Sequence, residues 1–315
     1  MTNGTDSEIA VVIPCYNAAP YLARALDSVF AQTYRAFRVY VIDDGSTDGT
    51  AEVVRSYGDR IVSVSTPHAG QASARNRGIR LSNSPYVAFL DADDEWLPAK
   101  LERQIEILRR NPGAGMVYSD CFNNANDHSA GSHFARVGTP GSGRVFEPMV
   151  AQCDVFTPTV VVRRKCLNRV GLFRETMPLG EDYNLWLRIS ARWDVAVVPE
   201  VLAIRHVTPG SLSQTTSLER ALSVPIAVFE DVMQTCPELS SSQRRALRRA
   251  IAKGHYTYGS HLLEKGKRQE SRQQMLQAMR YGLRDWRPLA KLALGFLPQR
   301  ASIQPSSWPD ADGGR

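Results

Sequence analysis

The sequence is poor in cysteine, and its few cysteines lack the spacing of a metal or disulfide site. Only five of the 315 residues are cysteine, and no two of them form a C-x-x-C pair. An odd number of widely separated cysteines argues against both a zinc site and a disulfide framework. We therefore expect free thiols and a reducing, cytoplasmic environment.

Long hydrophobic runs are lacking as well, and we expect no secretory signal at the start of the sequence. No run reaches the ~18 apolar residues of a membrane-spanning helix, and residues 1–8 have neither the basic nor the apolar region of a secretory signal. Hydrophobic residues still make up 43% of the chain, which is ordinary for a globular protein with a buried core. The sequence thus predicts one or two globular domains without a membrane span.

Several nucleotide-binding and hydrolytic motifs are missing. No G-x-G-x-x-G opens the first predicted helix, which disfavours a dinucleotide-dependent oxidoreductase, and neither a P-loop nor a G-x-S-x-G elbow occurs. A sugar nucleotidyltransferase usually has a glycine-rich loop and a lysine soon after its first strand. Here the first lysine of the chain is Lys100. Sugar nucleotidyl transfer is therefore disfavoured, but it stays an alternative.

Positive charge is concentrated near the C-terminus. The net charge is +6, yet residues 243–300 alone carry 14 Lys/Arg against 3 Asp/Glu. We predict a basic helical extension over residues 216–301, after a catalytic domain of residues 1–215 and before a disordered tail of residues 302–315. The extension either rests on an anionic membrane surface or is an ordinary helical cap with a solvated basic face. Nucleic acid is not expected, since aromatic residues are sparse among these cations.

Strand and helix patterns alternate through the first half of the chain. The predicted strands cover residues 9–14, 37–42, 61–64 and 86–90. We expect Asn17 to cap the first helix, and the next predicted helices cover residues 48–57, 71–81 and 98–110. Such alternation predicts an α/β fold with a mostly parallel central sheet flanked by helices. Ligands of such sheets bind outside the carboxyl ends of the strands.

An acidic motif stands at the end of the fourth predicted strand. Asp91, Asp93 and Asp94 follow the apolar run of residues 86–90 directly. Three carboxylates so close together repel one another, and a divalent cation would relieve that repulsion. Mg²⁺ and Mn²⁺ prefer oxygen ligands, commonly one or two carboxylates together with substrate phosphates. The alternative is a solvated acidic turn.

Other polar residues at the same predicted edge allow two interpretations each. Tyr16 stacks on a nucleobase or closes the core, and Asp44 accepts an N–H of a base or is a turn residue. Arg75 offers a bidentate fork to a diphosphate or forms a surface salt bridge. Asp182, at a predicted helix start, is a general base or a helix cap, and His206 contacts the cation or leaving phosphate or is simply packed.

Taken together, these motifs resemble the family 2 glycosyltransferases with a GT-A fold. Five motifs occur in the family's order within about the first 215 residues, and they are Val11 to Asn17, Val41 to Asp48, Ala74 to Asn76, Leu90 to Asp94, and Gly180 to Asp182 before Trp186. The resemblance implies an inverting, metal-dependent transfer from a nucleotide-diphosphate sugar. UDP is favoured as the nucleotide, with guanosine and thymidine open.

The resemblance also implies a role for each matching position. Asp182 corresponds to the catalytic base and Asp93 to the metal ligand. The region of Arg205 and His206 matches the family only loosely, and His206 is a weaker candidate for a second metal ligand. The residues that correspond to nucleotide-sugar contacts are Pro14, Tyr16, Asn17, Asp44, Arg75, Asp91 and Ala92.

The match departs from the polymerising members of the family. Ile189 stands where these carry the Gln of Q-x-x-R-W, so we expect single-sugar addition to a glycan or lipid-linked acceptor. This function is typical of cell-surface polysaccharide or glycolipid assembly. A non-catalytic nucleotide-sugar-binding module is the remaining alternative.

Overall fold

The predicted alternation of strands and helices forms one sheet with helices around it. The computed structural model describes residues 7–123, 131–208 and 215–282. Its strands are β1 (Ile9–Cys15), β2 (Phe37–Asp43), β3 (Ile61–Ser65), β4 (Tyr86–Phe89), β5 (Glu95–Trp96), β6 (Ala114–Phe122), β7 (Val160–Arg163) and β8 (Asp194–Ile204). Its helices are α1 (Leu22–Phe30), α2 (Thr50–Ser56), α3 (Gln71–Arg80), α4 (Lys100–Arg110), α5 (His133–Val137), α6 (Phe146–Ala151), α7 (Arg164–Val170), α8 (Glu181–Ser190), α9 (Leu218–Thr235), α10 (Ser241–Glu264) and α11 (Arg268–Arg280).

The sheet has eight strands in the order β3-β2-β1-β4-β7-β6-β8-β5. Four of its seven pairings are parallel, namely β1–β2, β2–β3, β1–β4 and β6–β8, and the other three are antiparallel. The expected α/β class with a mostly parallel sheet is confirmed. Because β7 runs against both of its neighbours, its start lies at the same edge as the ends of β4 and β6.

Strand β1 is buried on both faces. Ile9, Val11 and Ile13 join a hydrophobic cluster that includes apolar residues of α1 and α4. On the other face, Val12 lies under α3: a Cβ added at Gly78 would come within 2.5 Å of Val12 Cγ1. Only glycine allows this close approach, which holds α3 firmly against the strand ends.

Some local predictions differ from the structure. The expectation that Asn17 caps α1 is wrong, because the helix begins at Leu22 with Tyr21 as its N-cap. Asn17 instead has a φ of 48°, and its Oδ1 accepts the N–H of Thr47 at 2.8 Å. Residues 123–142 are rich in Asn, Gly, Ser and His, a composition typical of a loop, but they include helix α5, while residues 124–130 lie outside the described part.

The chain divides into two compact units, Met1–Ile251 and Ala252–Arg315. In the second unit, Ser271 Oγ donates a 2.6 Å hydrogen bond to the carbonyl of Gly259, which packs α11 against the second half of α10. The predicted boundary at residue 215 stays a prediction, and the predicted tail of residues 302–315 lies outside the described residues. No helix in the described segments is long and apolar enough to cross a membrane.

Candidate active site

The sheet collects the sequence motifs at one edge. Strands β1, β2 and β4 are parallel, and the register pairs Cys15 with Asp43 and Val12 with Phe89. The residues that follow these strands therefore lie side by side. Strands β6 and β8 end at this edge too, with Phe122 opposite Ile204, so Asn123 and Arg205 lie at the same edge.

A single buried arginine joins two acidic motifs. Arg75 on α3 is 2% exposed, and its Nη2 donates to Asp91 Oδ1 at 2.6 Å while its Nη1 donates to Glu181 Oε1 at 2.7 Å. Gln71 Nε2 donates to the same Glu181 oxygen at 2.8 Å. The pKa of Arg75 is raised: burial opposes the charged form, but the nearby charges of Asp91 and Glu181 outweigh it. Here Arg75 is an internal bridge between the two carboxylates.

Helix α8 presents its first two residues to this bridge. Gly180 precedes the helix at a φ of 78°, and a Cβ there would lie 2.7 Å from Val224 Cγ1, so the turn requires glycine. Burial, with the charge of Asp182 added, raises the pKa of Glu181 to about 7, although Arg75 acts in the opposite direction. The turn thereby places Asp182 directly beside the bridge.

The Asp182 carboxylate is held by two donors. Thr157 Oγ1 donates to Oδ2 at 3.0 Å, and the backbone N–H of Tyr183 donates to Oδ1 at 2.7 Å. Each carboxylate oxygen can still accept one more hydrogen bond, and the side chain is half-buried. The carboxylate is therefore oriented yet can still accept a proton. No sequence motif indicated Thr157, which lies in a short 3₁₀ turn before β7.

Three successive acids anchor the segment after β8. Asp93 Oδ2 accepts the hydroxyl of Thr208 at 2.8 Å, and Asp94 Oδ1 accepts the backbone N–H of His206 at 2.9 Å. Glu95 Oε1 lies 2.6 Å from His206 Nε2. Asp94 is buried, so its role, which the sequence left open, is structural: it fixes the chain at residue 206.

The acidic motif suits a divalent cation by its oxygen donors. Burial raises the pKa of Asp93, and the charge of Asp91 adds to this effect, so a cation placed between the two carboxylates would relieve a real electrostatic cost. The described residues contain no group of three or more His, Cys, Asp or Glu side chains arranged to hold a metal. The motif therefore fits an ion that takes its other ligands from substrate phosphates and water.

Beside Tyr16 and Asp44, the predicted nucleoside contacts, lies a histidine that the sequence did not suggest. Tyr16 is 47% exposed, and its ring centroid lies 4.2 Å from that of His68. Asp44 accepts the backbone N–H groups of Ala69 and Gly70 at 2.9 and 2.8 Å and lies 2.9 Å from His68 Nδ1. Asp44 thus fixes the loop after β3, and with it the position of His68 beside Tyr16, at this edge of the sheet.

The remaining predicted contacts lie at the same edge. Pro14 is buried within β1, and Ala92 is 8% exposed, so only their main chains could meet a ligand closely. Asn17 is exposed and bonded to the turn at Thr47. His206 is engaged by Glu95 through its ring. The structure brings these residues together at one edge, and their roles toward a ligand stay predictions.

Solved structures share this fold. Staphylococcus aureus TarS 1-349, determined in complex with UDP-GlcNAc, superposes with a TM-score of 0.68 at 15% identity over 90% of this chain and 84% of its own. The mannosyltransferase PcManGT from Pyrobaculum calidifontis, in complex with GDP-Man and Mn²⁺, gives a TM-score of 0.61 at 21% identity over 93% and 80%. The expected GT-A fold with a C-terminal helical region is confirmed.

Curated relatives and a family model match the sequence itself. An uncharacterized glycosyltransferase of Rickettsia typhi is 29% identical over 66% of each chain. The Escherichia coli UDP-Glc:alpha-D-GlcNAc-diphosphoundecaprenol beta-1,3-glucosyltransferase WfgD is 31% identical over 58% of this chain and 70% of its own. In four rickettsial relatives the match spans only 34–66% of their length. The model of glycosyl transferase family 2 covers residues 10–171, about half of the chain, and the protein therefore belongs to that family.

Proposed function

We propose that this protein transfers a single sugar from a nucleotide-diphosphate sugar to an acceptor hydroxyl, with inversion at the sugar. The observation that carries the proposal is the Arg75 bridge. One guanidinium bonds both Asp91, in the acidic motif at the donor end, and Glu181, the neighbour of Asp182. The proposed donor phosphate site and the proposed proton acceptor would then belong to one centre, with the sugar between them, as a direct displacement needs.

In this reaction Asp182 is the general base. The acceptor oxygen attacks the anomeric carbon, its proton passes to the Asp182 carboxylate, and the bond from carbon to the diphosphate oxygen breaks with its electron pair on the diphosphate. The hydrogen bonds from Thr157 and from the backbone of Tyr183 orient the carboxylate for this transfer. No covalent intermediate with the protein is required.

The donor would bind across the ends of the parallel strands. Tyr16, with His68 beside it, offers an exposed ring for a nucleobase, and Asp44 supports the same loop. Pro14, Asn17 and Ala92 would complete the contacts. UDP is favoured as the nucleotide, and the complex of TarS 1-349 with UDP-GlcNAc supports this choice.

A divalent cation, Mg²⁺ or Mn²⁺, fits the carboxylates of the acidic motif. Asp93 would hold it, with Asp91 toward the donor and His206 as a further ligand. When bound, such an ion neutralises charge on the departing diphosphate. The complex of PcManGT with GDP-Man and Mn²⁺ supports this assignment.

The setting is cell-surface polysaccharide or glycolipid assembly at the cytoplasmic membrane face. The full name of WfgD specifies a lipid-diphosphate acceptor, and the five cysteines of this chain are free. The basic C-terminal helices would contact the anionic membrane surface.

A thermal-shift panel of nucleotide sugars, each with and without Mn²⁺, tests the proposal. A donor that binds the folded state raises the apparent melting temperature by mass action, and we expect one nucleotide sugar to do so in a Mn²⁺-dependent way. Release of the free nucleotide diphosphate in the presence of acceptor then distinguishes transfer from a binding module. Release of pyrophosphate from UTP and a sugar phosphate would instead indicate a nucleotidyltransferase, and no response to any donor would refute both.

A further inference from the structure

Two adjacent residues after β8 turn to opposite sides of the chain. His206 lies against the acidic motif, where its ring and backbone contact Glu95 and Asp94. Arg205 points the other way: its guanidinium carbon lies 4.0 Å from the centroid of the Phe156 ring. Successive side chains of an extended segment alternate in this manner. Of these two residues, only His206 contacts the acidic motif through its side chain, and the role of Arg205 has to be sought on the opposite side.

The side that Arg205 faces is the side of the proposed base. Phe156 directly precedes Thr157, whose hydroxyl holds the carboxylate of Asp182. A general base must touch the acceptor hydroxyl, because it removes that proton. Arg205 thus packs on the residue that directly precedes Thr157, the hydroxyl donor to Asp182.

The guanidinium of Arg205 is held in place without an acidic partner. Asn123 Oδ1 accepts from its Nη1 at 3.1 Å, and the Phe156 ring covers it. Among the described residues no carboxylate lies within ion-pair distance of Arg205. The charge of Arg205 opposes the raised pKa of Asp94 at longer range than an ion pair, and the guanidinium has no direct carboxylate partner among the described residues. An arginine that is positioned in this way is suited to bind an anion.

A second cation lies nearby. Burial raises the pKa of the Cys121 thiol to about 12, and the charges of Arg205 and Arg136 both oppose that rise. Both guanidiniums therefore act on the end of β6. Arg136, on α5, is exposed, and within the described residues it too forms no ion pair.

We propose that Arg205, supported by Asn123 and Phe156, is an acceptor-binding residue that recognises a phosphoryl group on the acceptor. The inference rests on the proposed function and narrows its acceptor to the phosphoryl-linked class. Arg205 would form charge-assisted hydrogen bonds with the phosphoryl oxygens, and planar guanidinium geometry favours two parallel bonds.

Titration calorimetry with paired probes tests the inference. The probes are a short-chain alkyl N-acetylglucosaminyl diphosphate, the matching alkyl N-acetylglucosaminide without phosphate, and inorganic phosphate, each with UDP present to occupy the donor site. We expect the wild type to bind the diphosphate probe about tenfold or more tightly than the neutral glycoside, in keeping with hydrogen bonds to charged groups. Arg205→Gln should reduce that ratio to about threefold or less, and Arg205→Lys should fall between.

The matched control is Arg103→Gln, which removes an exposed arginine paired with Glu200 and should keep the wild-type ratio. Equal affinity of the wild type for both glycosides would overturn the inference, as would equal weakening of both by Arg205→Gln. An Arg205-dependent site for inorganic phosphate without preference for the diphosphate sugar would also overturn it. These measurements concern the acceptor only. The expected binding ratios can therefore be absent while the thermal-shift panel of nucleotide sugars still shows donor binding, and the reverse outcome is equally distinguishable.

Discussion

Arg75 Nη1 donates a 2.7 Å hydrogen bond to Glu181 Oε1 across 106 residues of sequence, and both side chains are almost fully buried. This contact makes α3 and the start of α8 parts of one charged centre. The sequence suggested that Arg75 forms either a diphosphate fork or a surface salt bridge. The structure shows an internal ion pair, which has direct consequences for stability.

Arg75→Met should destabilise the protein by about 3–5 kcal/mol, because it leaves the buried carboxylate of Glu181 without its counter-charge. Urea unfolding measures this free energy. The double variant Arg75→Met/Glu181→Gln should recover part of the loss, since the uncompensated charge is gone. A single variant as stable as the wild type would show that the bridge contributes nothing to folding.

Asp182→Asn should leave donor binding nearly intact and lower turnover by about 10²–10⁴-fold, the usual contribution of a general base. The amide keeps an oxygen that can accept from Thr157 but cannot take the acceptor proton at neutral pH. Donor-induced thermal shift and steady-state kinetics give the two quantities. Asp59→Asn, at an exposed site, is the control. Undiminished transfer by Asp182→Asn would exclude it as the base.

Asp93→Ala should remove the Mn²⁺-dependent part of the donor-induced thermal shift, because it deletes the proposed ligand of the ion. Thr208→Val is the matched control: it deletes the hydroxyl that bonds Asp93 but keeps the carboxylate, so the metal dependence should survive. If Asp93→Ala keeps the full Mn²⁺ response, the cation assignment fails.

Lys100→Met should raise the free energy of unfolding, and more at pH 7 than at pH 9.5. Lys100 is fully buried on α4, where its Nζ donates to Gln104 Oε1 at 2.8 Å and lies 4.1 Å from the Trp96 ring centroid. Burial lowers the pKa of its ammonium well below the ordinary 10.5. At pH values below 10.5 the unfolded chain therefore binds more protons than the folded protein. The folded state loses stability as the pH falls from 10.5 toward the lowered pKa of Lys100.

Chemical unfolding at the two pH values measures this difference. Lys165→Met, which replaces an exposed lysine, should show no such pH dependence. The same stability gain at both pH values for Lys100→Met would mean that the buried amine does not titrate differently from a free one.

From the sequence, the residues that lie at the carboxyl edge of the sheet could be predicted better than the side-chain contacts among them. Strand ends such as Asp44 and Asp91 could be placed together because parallel strands share one direction. Strand β6 was not predicted, since it mixes apolar residues with Ser119 and Asp120, and a buried acid in a strand depends on partners elsewhere in the chain. Asp120 has them: its Oδ1 accepts the backbone N–H groups of Cys121 and Phe134.

The roles of single polar residues were the least predictable. Periodicity places Arg75 on a helix, but only the tertiary fold supplies Asp91 and Glu181 as its partners. Asp94 looked like a member of a metal-binding triplet, and its carboxylate instead holds a backbone N–H more than 100 residues away. Local sequence does not encode such long-range pairings.

The acids at positions 93, 94 and 95 each hold a different group in the segment of residues 206–208. The two short segments are thus linked to each other and should be exchanged together in protein engineering. A chimera that takes residues 205–208 from a relative without that relative's acidic turn would break three contacts at once. A chimera should therefore keep this edge of the sheet intact only when both segments are grafted together.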